Sequence, residues 1–202
     1  EQGWDLEAVL NNDIVGGNTT PGDMLQLKDR VRVFSEGVPV AATPEQERRI
    51  RGLGGENDSP SRQLARAMAD TARTYFPAVG ATRFSAFLVS RPDRYLRGGD
   101  HSSFNREGFA AVRLTEWRED YNHQHQNVVQ PPAGSSDPVL GDLLEFVDFK
   151  YVAKVARLNA APHRPDTDLA MATAPSTIEI DARLLREWPL PEPGALTDRE
   201  ER

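Results

Sequence analysis

The 202-residue chain has no cysteine. That excludes disulfides, thiolate nucleophiles and cysteine-ligated zinc, and leaves His, Asp and Glu as the side chains able to hold a metal. Long apolar runs are missing as well. Nothing approaches the roughly 18–20 residues that span a bilayer, and no basic stretch leading into an apolar one opens the chain as a secretory signal would. Positive balance is the third absence. With 24 Lys and Arg against 31 Asp and Glu, a formal charge of −7, the chain supplies no net field for phosphate, so nucleic acid is not an expected partner. The arginine clusters at Arg48-Arg49-Ile50-Arg51 and from Arg91 to Arg97 have acidic residues close by. At 38% hydrophobic and 27% charged, the composition suits one soluble core, alone or with an appendage.

The patterning alternates strand and helix. Leu6 to Leu10 is a short apolar strand running into Asn11-Asn12-Asp13 and the glycines Gly16 and Gly17, as an interior strand of an α/β sheet does. Lys28 to Ser35 alternates at period two, which predicts a half-exposed strand closed by the turn Glu36-Gly37. Thr43-Pro44-Glu45 opens a short helix, and Gly52 to Asp58 reads as a loop. Ser59 is a good N-cap with Pro60 in the first helical position, and Leu64, Ala65, Met68, Ala72 and Tyr75 recur at helical spacing until Pro77. Strands are predicted at Phe84 to Val89 and Ala110 to Thr115, with a short helix from Ser102 closed by Gly108 between them. A loop from Glu116 to Asp142 carries His123 and His125, and loops of that length are usually functional or disordered. A helix follows from Asp148 to Ala161. The order predicts an α/β sheet with helices on both faces. Residues 162–202 change character, with several prolines and one alternating stretch, Ser176 to Ile180, and read as an appendage.

Four places offer chemistry. Asp13 follows a strand end and is flanked by small residues, so a metal could approach it closely; a loop-capping Asp is the competing role. His123 and His125 form a His-x-His pair in a loop, and such pairs are often solvated or bonded to backbone. Asp100, after Gly98-Gly99, can cap the helix that begins near Ser102. Glu116 ends an apolar strand, which suits either a cleft wall or, preferably, an exit into solvent. Tyr75, Phe84, Phe87 and Phe104 read as core.

Taken in order, Asn11-Asn12-Asp13-Ile14-Val15-Gly16, Gly54-Gly55-Glu56-Asn57-Asp58-Ser59, Gly99-Asp100-His101-Ser102-Ser103-Phe104, Ala110 to Glu116 and His123-Gln124-His125 resemble family twenty-eight of the metallopeptidases. These are the co-catalytic zinc aminopeptidases related to glutamate carboxypeptidase and glutaminyl cyclase. The resemblance runs from Glu1 to about Ala161 and leaves the tail uncovered. It implies the three-layer α/β/α sandwich of the zinc exopeptidases and a two-zinc centre. Asp13 corresponds to a terminal carboxylate ligand of one zinc. His125, with His123 as the alternative, corresponds to the ligand of the other. Asp100 corresponds to a group that hydrogen-bonds near the metals without ligating them.

The family also places a His-x-Asp segment, a bridging Asp and a Glu-Glu pair before the Asn-x-Asp strand. None of these occurs in that position here, and Glu-Glu appears only at Glu200-Glu201. The expectation is therefore the C-terminal portion of an exopeptidase domain over residues 1–161, with residues 162–202 as an extension. The parent would be an aminopeptidase acting on peptide substrates, periplasmic or secreted, and the isolated chain inactive. No catalytic base is assigned within it. Its open sheet edge would call for a partner, either the missing N-terminal half or a second copy in a homo-oligomer. Two alternatives remain: a non-catalytic accessory module that pairs through that edge, and a one-zinc glutaminyl-cyclase-like transferase.

Overall fold

The computed structural model describes residues 6–17 and 25–161; the expectations for the tail, including the strand at Ser176 to Ile180, lie outside the described residues. The strands are β1 (Val9–Asn12), β2 (Arg30–Ser35), β3 (Ser85–Val89) and β4 (Ala111–Thr115), and the α-helices are α1 (Pro44–Leu53), α2 (Pro60–Tyr75), α3 (His101–Arg106) and α4 (Phe149–Ala160). The stretch read as a loop before Ser59 contains a 3-10 turn at Gly55–Asp58.

Local chemistry sets the helix starts. Thr43 and Gln46 form a reciprocal capping box, with Thr43 Oγ1 accepting from the Gln46 amide at 3.3 Å and Gln46 Oε1 accepting from the Thr43 amide at 2.7 Å. Ser59 Oγ accepts from the Arg62 amide at 3.2 Å and donates to the Glu36 carbonyl at 2.6 Å, so the cap of α2 also ties that helix to the exit of β2. Asp148 caps α4 through the Tyr151 amide at 3.0 Å.

The strands form one mixed sheet in the order β1-β4-β2-β3. β1 runs parallel to β4 with Asn11 opposite Arg113, and β2 runs parallel to β3 with Val31 opposite Ala86. β2 and β4 are antiparallel, with Val33 opposite Leu114. Asp13 and Glu116 therefore emerge at the same end of the sheet. Among the described residues β1 is an outer strand, where its composition suggested an interior one; no strand flanks its far side within those residues.

Period-two alternation divides the sheet into two unlike faces. Val31, Val33, Val112 and Leu114 pack with Ala65, Met68 and Ala72 of α2 and with Tyr151, Val155 and Leu158 of α4. Phe84 meets Tyr151 edge-on at 5.5 Å, and the Tyr151 hydroxyl donates to the Arg30 carbonyl at 2.8 Å, which satisfies the one polar atom of that ring in the core. The other face carries Asn11, Arg32 and Arg113, and the segment leading into α3 lies against it. The architecture is α/β.

Phe87 departs from the core expectation. It is 46% exposed and rests edge-on against Trp117 at 5.1 Å, over which the Arg30 guanidinium sits at 5.5 Å. It belongs to an outer strand, so part of its ring stays in water. Among the described residues no helix is long and apolar enough to cross a membrane.

Leu158 is fully buried, so Leu158→Ala is expected to destabilise by about 3 kcal/mol. Leu144, 75% exposed, should tolerate Ala within about 0.5 kcal/mol. Urea unfolding of both variants checks the pair.

Candidate functional site

Asp13 lies one residue past the last pair of β1, and its amide donates to the Leu114 carbonyl at 2.9 Å. The peptide between Asp13 and Ile14 is cis. From there the chain turns sharply at Gly16, whose φ of +102° suits glycine and whose missing Cβ would fall 2.3 Å from Val152 Cγ2 on α4. The Gly16 carbonyl accepts from the Asp148 amide at 2.8 Å, so the turn is fastened to the start of α4.

Beneath this turn lies Arg113, with no exposed side-chain surface. Its Nη1 donates to both oxygens of Asp93, at 2.6 and 2.9 Å, and to the Gly98 carbonyl at 3.3 Å. Its Nε donates to the Asp13 carbonyl, and its Nη2 lies 3.3 Å from Asp13 Oδ2. One guanidinium thus grips Asp13 by backbone and by carboxylate while Asp93 neutralises it from behind.

His101 completes the set. Its Nε2 donates to the Pro92 carbonyl at 3.0 Å, which leaves Nδ1 to accept from Asn11 Nδ2 at 3.4 Å. Burial holds this imidazole below the ordinary histidine range, against the Pro92 bond and Asp93, which raise it. A Cβ at Gly99 would fall 2.6 Å from Asp13 Oδ2 and 3.2 Å from His101 Nδ1. That close backbone approach is the physical content of the Gly99-Asp100-His101 run.

Asp100 itself sits at the N-cap position of α3 without a side-chain cap bond, and it is exposed. The buried member of that dipeptide is His101. Glu116 also departs from expectation: it does not exit into solvent but is 1% exposed. Its Oε2 accepts from the Gly16 amide at 3.0 Å, and its own amide donates to the Ile14 carbonyl at 3.0 Å. Burial pushes its carboxyl up to about 7, although the amides of Gly16 and Gly17 and the charge of Arg32 pull the other way. Glu119, with 2% side-chain exposure, bridges Arg32 at 3.1 Å and Arg94.

The two loop histidines differ. His125 is exposed, with φ +58°. His123 has 6% side-chain exposure, stacks on Phe146 with ring centroids 3.5 Å apart, and places Nδ1 3.6 Å from Asp120 Oδ2. Among the described residues no group of three or more His, Asp or Glu side chains gathers that could hold a metal ion. Asp13 offers one carboxylate, part of whose charge is already met by Arg113. The residues described do not on their own fit a two-metal centre.

The chain is 48% identical over 161 residues to a probable zinc metalloprotease of Pyricularia oryzae, covering 77% of this chain and 30% of that protein. It is 42% identical over 185 residues to one of Pyrenophora teres f. teres, covering 89% and 35%, and 42% identical over 157 residues to one of Leptosphaeria maculans, covering 77% and 34%. These relatives support a metallopeptidase family. The chain spans about a third of the length of the curated relatives it matches. No family model and no solved structure matches it.

Arg113, Asp93 and Glu119 are not among the candidates the sequence offers, and Glu116 is among them only as a strand end that more readily exits into solvent. One signal for Arg113 was available: a charged residue inside the apolar run Ala110-Ala111-Val112-Arg113-Leu114, in a strand buried at every position.

Two expectations follow. Arg113→Met strands the Asp93 carboxylate, which is 6% exposed, and should cost about 3–5 kcal/mol; replacing Asp93 by Leu in the same chain should recover part of it, both read by urea unfolding. Glu36, which accepts from the Val40 amide at 3.1 Å, is also raised by burial to about 7. For Glu36 and Glu116 the folded pKa lies above the ordinary glutamate value of about 4.5. Their contribution is therefore complete below about pH 4.5 and lost as pH rises through about 7, on the order of 3 kcal/mol each. Unfolding midpoints across pH 4 to 8 should fall less steeply in Glu36→Gln and Glu116→Gln than in the parent chain.

Proposed function

We propose that this chain is the C-terminal portion of a zinc-dependent exopeptidase of the three-layer α/β/α kind, an aminopeptidase hydrolysing residues from peptide N-termini. The observation that carries it is the built turn at Asp13. A carboxylate at a strand end is gripped by a buried arginine and faced by a glycine backbone, in a chain whose relatives are named zinc metalloproteases. In the complete protein Asp13 and one loop histidine would each hold a zinc, and the bridging ligand and general base would come from residues outside this chain. Chemistry at such a pair consists of carbonyl polarisation and activation of water. What the present residues contribute is the fixed direction of Asp13 and a neutral His101 that braces the segment before α3.

Between the two histidines, the resemblance favours His125 and the surroundings of His123 favour that residue instead. A ligating imidazole commonly has a carboxylate beside its other nitrogen, and Asp120 Oδ2 lies 3.6 Å from His123 Nδ1, short of a hydrogen bond but on that side of the ring. Measuring zinc content in complete-protein variants His123→Ala and His125→Ala separates them, since the ligand's loss lowers it.

The rival from another class is a non-catalytic module pairing through the outer edge of β1. The 202-residue chain, supplied with zinc, is expected to release no amino acid from peptides or from aminoacyl-nitroanilides. Release that a chelator stops would sink the inference that the base and remaining ligands lie elsewhere. Within the complete protein, Asp13→Asn should lower kcat/KM by about a hundredfold or more, since even partners that only support a ligand cost about 10–100-fold. Unchanged turnover in that variant would favour the rival.

A further inference from the structure

The turn from Ile14 to Gly17 is held on three sides. From β4, Glu116 and Thr115 both donate to the Ile14 carbonyl, at 3.0 Å from the Glu116 amide and 3.2 Å from Thr115 Oγ1. From α4, the Asp148 amide binds the Gly16 carbonyl. The Gly16 amide is satisfied by a side chain alone, Glu116 Oε2 at 3.0 Å. Glu116 is in turn fixed through its own carbonyl, which accepts from Arg32 Nε at 2.9 Å. Its second oxygen, Oε1, is buried without a hydrogen-bond partner among the described residues and would lie 3.7 Å from a Cβ at Gly17.

We propose that Glu116 is a positioning residue, whose carboxylate latches the Gly16 amide to the end of β4 and thereby sets the direction in which Asp13 leaves the sheet. Three contacts already fix Ile14 and the Gly16 carbonyl, so the Glu116 bond is the one that decides how the peptide between Val15 and Gly16 lies. Asp13 is adjacent to Ile14 and shares its carbonyl with Arg113. A change in that turn reaches the Asp13 carboxylate through two peptide units. The importance of Asp13 rests on the exopeptidase reading, but the latch does not, because it is a property of the metal-free chain.

The carboxylate faces Arg32 from β2, Asp120 from the following loop and Tyr151 from α4, besides the amides of Gly16 and Gly17. Its ionisation is therefore readable at Gly16. The experiment is amide NMR on the isotope-labelled 202-residue chain without metal, as wild type and as Glu116→Gln. In the wild type the Gly16 amide proton should shift with pH as Glu116 ionises. In Glu116→Gln that shift should vanish, Gly16 should exchange its amide about tenfold faster through the weakened bond, and the Asp13 carboxyl carbon resonance should move at fixed pH.

An unchanged Gly16 amide overturns the proposal. So does a response at Gly16 with none at Asp13, which would make the latch local. Equal loosening of amides throughout β4 and α4 also overturns it, since that is loss of stability and not of position. If Glu116→Gln does not fold, Gly17→Ala serves, because the added methyl sits at ordinary contact distance from Oε1. It should move the pH midpoint seen at Gly16 upward, and an unmoved midpoint counts against the latch. Adding zinc to the same samples afterwards tests the metal reading separately.

Discussion

Everything at the Asp13 end of the sheet depends on the buried guanidinium of Arg113. Removing an arginine wholly from water is costly unless its donors are met. Here Asp93 and the Gly98 carbonyl meet Nη1 and the Asp13 carbonyl meets Nε, while Nη2 makes no hydrogen bond among the described residues and is offset by charge alone, 3.3 Å from Asp13 Oδ2. Asp93 and Gly98 belong to the segment between β3 and α3, and Asp13 to the end of β1, so one side chain of β4 brings together pieces far apart in sequence. Planarity matters as much as charge. A fork that engages one carboxylate with Nη1 and a backbone carbonyl with Nε fixes both in its plane, which a lysine could not do.

The two faces of the sheet then do different work. One is apolar and close-packed against α2 and α4. The other is ionic, with Arg32 and Arg94 converging on Glu119 while Arg113 joins Asp93 and Asp13. Much of the basic run from Arg91 to Arg97 is explained this way. Arg94 is committed to a buried carboxylate, and the Arg97 guanidinium lies over the Tyr121 ring at 5.1 Å. Arg32, Arg94 and Arg113 are thus paired within the fold, while Arg91 and Arg97 stay exposed.

How much of this could be read from the residues follows the range of each interaction. The starts of α1 and α2, the stop before Pro77 and the four strands rest on signals within a few residues, so Thr43-Pro44 and Ser59-Pro60 announce those two helices with small shifts of boundary, whereas the cap at Asp148 carries no such mark. Sheet order was not local. Whether β2 lies beside β4 or β1 depends on contacts spanning some eighty residues, such as Arg32 to Glu116, and the apolar composition of β1 carries no sign of which strand it joins. Site chemistry was half legible. Asp13 and the glycines around it announce a turn with a carboxylate. The burial of Glu116 did not show, because a carboxylate at a strand end ordinarily points to water and only the fold returns the Gly16 amide to it. Likewise Asp100 drew attention by its pattern, while His101 beside it makes the contacts.

What joins the two halves of the site is the sign of the local field. Glu116 lies at the end of β4, Asp13 at the end of β1, and these strands are parallel neighbours, so two carboxylates emerge side by side at one end of the sheet. Left alone they would repel. Arg113 offsets Asp13, while backbone amides and Arg32 face Glu116, so each acid has its own partners. Burial then separates them chemically: Asp13 retains access to solvent at 31% side-chain exposure, and Glu116 has almost none. The two acids thus sit in unlike environments although they end neighbouring strands. A sheet end with one buried arginine and a glycine turn supplies both without any further element.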